Sequence, residues 1–116
     1  MAHLPDEFES WCREYIHHSE VIKDIGKDIL ATYQRGPENA TPDEYRVWQD
    51  KHESDVQRRG TLCQLREEQE TMRAQVKVKI QGALSDSGSV VVDGWVFLNA
   101  TECKMFVACP VAQGGK

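Results

Sequence analysis

Between Pro5 and Gly36-Pro37 the chain places Phe8, Trp11, Tyr15, His18, Ile22, Ile25, Ile29 and then Thr32 or Tyr33 at gaps that alternate between three and four residues. That spacing is the seam of a coiled coil, with one polar member, His18, of the kind that fixes register. Pro5 suits a first helical position, Asp6 and Glu7 complement the helix dipole, and Gly36-Pro37 stops the run. A helix over 5–35 would be roughly 46 Å long at about 1.5 Å per residue. A chain of 116 residues folded compactly cannot cover such a rod.

A second helix is expected over 42–75. Thr41-Pro42-Asp43-Glu44 supplies a capping hydroxyl, a first-turn proline and a carboxylate at the third position. The loop over 36–40 is short enough to make the two helices an antiparallel, coiled-coil-like hairpin. Apolar positions follow at Tyr45, Trp48, His52, Val56 and Cys63, then in a second register at Leu62, Leu65, Gln69, Met72 and Val76. The two registers do not join in phase. Gly60 lies at the join, where a kink or break is the alternative to an unbroken helix. The unbroken helix is favoured, since one glycine costs only about 1 kcal/mol.

From Val76 the period changes to two, with Val76, Val78 and Ile80 alternating with Lys77, Lys79 and Gln81, and the chain is expected to turn from helix to sheet over 76–110. Eight of the eleven valines lie after residue 75, whereas 16 of the 19 acidic residues lie before 76. Two readings of Ser89–Leu98 compete: a tight hairpin turning at Asp93-Gly94, or one strand with an internal glycine. The single strand is favoured because it completes a simple three-stranded meander; the hairpin would give four strands. A last strand should run from about Cys103 to Cys109, stop at Pro110, and leave 111–116 as a flexible tail.

In the single-strand reading both sheet faces are apolar: Val90, Val92, Val96 and Leu98 on one, Val91, Trp95 and Phe97 on the other. One helical hairpin covers only one of them. The expectation is therefore a single α+β domain over 1–116 that assembles as a homodimer or higher oligomer. Its interface would use Trp11, Tyr15, His18, Ile22, Ile25, Ile29, Trp95 and Phe97.

The net charge of −5 argues against a nucleic-acid binder, which shows a basic face. No apolar run approaches the roughly 18 residues of a spanning helix. The opening residues carry neither a basic nor an apolar signal region, so a cytoplasmic protein with reduced Cys12, Cys63, Cys103 and Cys109 is expected. Those thiols with His17 and His18 offer no close metal-ligand pair, and neither a metal nor a cofactor is expected. Adjacent histidines on a helix point about 100° apart. Arg59, Arg66 and Arg73 repeat every seven residues as one stripe. That stripe is a solvated flank on the plain reading and an anion site on the sharper one.

No phosphate loop, nucleophile elbow or zinc-protease motif occurs. The chain therefore reads as a non-catalytic, acidic protein–protein interaction module, of the kind a phage or mobile element uses to inhibit a host enzyme. Two alternatives are a protein that sequesters an anionic small molecule at a subunit interface and a structural subunit of a larger assembly.

Overall fold

The computed structural model describes residues 4–84, 88–100 and 105–111. Helix α1 spans Phe8–Ala31, helix α2 Pro42–Ala83, and strands β1, β2 and β3 span Ser89–Val92, Trp95–Ala100 and Met105–Pro110. The fold is α+β, two helices followed by a three-stranded antiparallel sheet in the order β1-β2-β3.

Helix α1 starts and stops inside the expected 5–35. Pro5 contributes the first turn through the Phe8 N–H to Pro5 carbonyl bond of 3.0 Å. The C-terminus tightens early: Thr32 and Tyr33 donate to the carbonyls of Ile29 and Leu30, three residues back. The Thr32 hydroxyl also donates to the Ile29 carbonyl, at 2.6 Å, competing with a further helical turn. Of the two seam alternatives, Thr32 is the buried one (1% exposed) and Tyr33 is exposed (60%). The capping box at the start of α2 is present in both directions. The Glu44 N–H donates to Thr41 Oγ1 at 3.1 Å, and the Thr41 N–H to Glu44 Oε1 at 3.3 Å.

Helix α2 passes through Gly60 unbroken and runs on to Ala83, so the strand expected over Val76–Ile80 is corrected to helix. Val76 and Ile80 are two alternations apart in a strand but also one helical turn apart, so both readings bury them together. Val78 decides between the two. It is 69% exposed while Val76 and Ile80 are 7% and 0% exposed.

The single strand expected over Ser89–Leu98 is also corrected. Asp93 and Gly94, at φ 48° and 80°, make the left-handed pair of a two-residue hairpin turn. Val92 pairs with Trp95 and Val90 with Phe97. On the other side of β2, Phe97 pairs with Ala108 and Asn99 with Phe106. The turn re-sorts the faces: Val90, Val92, Trp95, Phe97, Phe106 and Ala108 share one side, and Val91, Val96, Leu98 and Val107 the other. The last strand begins at Met105; Cys103 lies outside the described residues. Pro110 ends β3 rather than following it, which an edge strand tolerates.

The contacts divide the chain into two compact units, Met1–Ser19 with Thr71–Lys116, and Glu20–Glu70. The first holds the apolar core, in which Phe8, Cys12 and Ile16 of α1 cluster with Val76, Ile80, Leu84, Val92 and Phe97. Tyr15 is the aromatic hub, edge-on to Trp95, Phe97 and Phe106 with ring centroids 5.8 to 6.4 Å away. An exposed ion pair from Arg13 to Asp93, 3.0 Å long, ties the hairpin turn to α1. In the second unit only Ile29 and Thr32 are buried among the described residues.

Candidate functional site

Burial along α2 recurs at Trp48, His52, Asp55, Arg59, Leu62, Arg66, Gln69, Arg73, Val76 and Ile80, each at least half-covered. The gaps alternate between three and four, so this is one continuous seam. The two apolar registers that fail to join in sequence are thus linked by polar residues. Leu65 and Met72, which belong to the apolar pattern, point outward instead (45% and 46% exposed). Arginine fills a seam position because its apolar stem packs while its head finds partners.

The arginine stripe is therefore part of the helix-facing surface, and its members do not converge on one place. In the second unit, Arg59 Nε donates to Thr32 Oγ1 at 2.9 Å and Nη2 to the Thr32 carbonyl at 3.2 Å. Its guanidinium also lies 3.6 Å over the Tyr33 ring centroid. This fork satisfies a carbonyl at the end of α1, where positive charge is favoured. In the first unit, Arg73 Nη1 donates to Ser19 Oγ at 3.3 Å, with the guanidinium 5.6 Å from the Tyr15 ring. Arg66 is half-buried in the second unit.

The expected interface residues separate. Phe97, 0% exposed, is in the chain's own core, so its assignment to an interface is corrected. Trp11, Tyr15 and Trp95 pack against that same core. His18, Ile22 and Ile25 are half-buried, and Ile29 is buried. What stays open is the opposite side of the sheet. Val91 (63%) and Met105 (56%) are exposed, Cys109 is exposed, and Val96, Leu98 and Val107 are half-covered. Sequence reading missed this surface because it assigned Val96 and Leu98 to the same side as Val90. The Asp93-Gly94 turn signal, taken at face value, would have found it.

A smaller feature lies in the second unit. Tyr33, Gln34, Arg35, His52 and Arg59 line an open cleft of about 500 Å³. The Trp48 indole stacks on the His52 ring with centroids 4.8 Å apart and planes 15° apart.

Cys12, Cys63 and Cys109 are free thiols. Burial, helped by the Glu9 carboxylate and opposed by Arg13, pushes the Cys12 thiol up from 9.0 to about 11. An activated nucleophile needs the opposite shift. His17 is exposed, and its ring is tilted 59° to that of His18. Among the described residues no group of three His, Cys, Asp or Glu side chains could hold a metal ion. No helix among them is long and apolar enough to cross a membrane. Comparison with protein-family models, curated proteins and solved structures finds no match.

Proposed function

We propose that the chain is a non-catalytic protein-interaction module that works as a homo-oligomer, with a second copy seated on the outer face of the sheet. The observation that carries this reading is the uncharged, largely β-branched surface of Val91, Val96, Leu98 and Val107, extended by Met105 and Cys109. Val91 and Met105 on it are exposed, and removing apolar surface from water favours association. A second copy fits it because the face bears no charge among its described positions. Symmetric stacking then brings no like charges together, and two sheets can pack about 10 Å apart.

The face is small. Three strands about 4.8 Å apart and about five residues long give roughly 14 by 17 Å. Two such faces together fall well short of the ~1,200 Å² at the lower end of a stable interface. Association in the micromolar range is therefore expected, open to replacement by a protein partner of similar surface. The coiled-coil-like pairing of α1 with α2 belongs to the same reading and is supported in the second unit by the Arg59–Thr32 fork. The raised Cys12 thiol argues only against Cys12 as an activated nucleophile.

Light scattering tests the reading. The unaltered chain should gain mass with concentration across roughly 1–200 μM, a span that brackets micromolar affinities. Val91→Lys, on an exposed position, should hold it monomeric without loss of helix. A monomer at every concentration, or an association that Val91→Lys leaves unchanged, contradicts the proposal. Mass that grows without limit would instead favour the structural-subunit alternative.

A further inference from the structure

We infer that the cleft between Arg35, His52 and Arg59 binds a small phosphate monoester, a mononucleotide being the class that fits best. None of the residues lining this cleft belongs to the sheet. Of the five residues lining the cleft, two are arginines, one is histidine, and none is acidic. Its volume of about 500 Å³ falls within the ~300–1,000 Å³ range of small-molecule sites.

Three local features organise these groups. Arg59 is held by its two bonds to Thr32 and by the Tyr33 ring, which fixes the plane of its guanidinium. A donor fixed before binding loses little freedom when an anion arrives. His52 is held by Trp48 on one face of its ring. Gly36, next to Arg35, sits against the same indole; a Cβ there would meet the Trp48 ring at 3.4 Å. The loop that carries Arg35 therefore closes down on the face of α2 that carries His52. One turn along α2, the Asp55 carboxylate is engaged by Lys51 at 3.1 Å.

The ligand class follows from the donor set. Planar guanidinium forks match phosphate oxygens bidentately. The aromatic rings of Tyr33 and His52 offer flat surfaces for a base. The chain as a whole is acidic, at net −5, so it does not gather anions from a distance. Recognition must come from these contact donors. Capping of α1 explains the Arg59 fork by itself, but it involves neither Arg35 nor His52.

Calorimetry on the full chain tests the site, with adenosine monophosphate, inorganic phosphate and adenosine as probes. The monophosphate should bind once per chain, inorganic phosphate should compete with it, and adenosine should bind at least about tenfold more weakly. Arg35→Ala, on an exposed loop position, should weaken the monophosphate about tenfold, the scale of one charge-assisted hydrogen bond. His52→Gln, which keeps hydrogen-bonding capacity but not the aromatic ring, should weaken it as well. Absence of heat with both phosphate probes at millimolar concentration overturns the proposal. Equal binding of adenosine and its monophosphate, or affinity unchanged in both variants, overturns it too.

Discussion

The two units of this chain are built from the same pair of helices and held by different physics. In the first, Phe8, Cys12, Ile16, Val76, Ile80 and Phe97 exclude water from a shared apolar cluster. In the second, the buried residues are Ile29 and Thr32, and a guanidinium fork from Arg59 of α2 holds Thr32 just beyond α1. Burial of an aliphatic or aromatic side chain contributes about 1.5–3 kcal/mol. A hydrogen bond nets about 1 kcal/mol but is specific in geometry. The comparison teaches a division of labour: one unit supplies most of the stability and presents the sheet, and the other trades apolar contact for positioned polar groups.

The largest effect should come from the apolar unit. Phe97→Ala removes a fully buried ring and should cost about 3–5 kcal/mol in urea unfolding. Ile25→Ala, at a half-buried position of the second unit, should cost clearly less; equal costs would break the comparison. Next comes pH. The thiol of Cys12 is raised in the fold, so its contribution is intact below pH 9.0 and is lost as pH rises towards about 11. Stability should fall by about 2 kcal/mol over that window, and Cys12→Ala should flatten this part of the profile. Arg59→Met keeps the stem and removes the fork from Thr32. It should cost about 1–2 kcal/mol, visible in thermal melts. The smallest effect is expected at Gly94, whose φ of 80° leaves open space for a Cβ but strains any side chain. Gly94→Ala should cost about 1 kcal/mol.

Local chemistry was legible in the sequence wherever a few adjacent residues decide the outcome. The Thr41–Glu44 capping box and the α+β order follow from short-range pattern, whereas the burial of Cys12 and Ile16, beside the expected α1 seam, does not. Two kinds of information were hidden. Val76 and Ile80 satisfy both a strand and a helix, and only the exposure of Val78 separates the two. The seam of α2 was disguised because Asp55, Arg59 and Arg66 occupy positions where apolar residues were sought. The sheet was misread for a related reason: a two-residue turn at Asp93-Gly94 exchanges the face of every residue beyond it relative to one continuous strand. The outer surface and the cleft at Arg35 both depend on such tertiary placement.

Hydrogen exchange resolved by peptide tests the contrast between the units most directly, because it reads local opening along the whole backbone. The account expects the amides of Val76–Ala83 and of β2 to exchange last, near the rate set by global unfolding, and those over 42–60 to exchange at least about tenfold faster. Uniform protection along α2, or slower exchange over 42–60 than over Val76–Ala83, would contradict it.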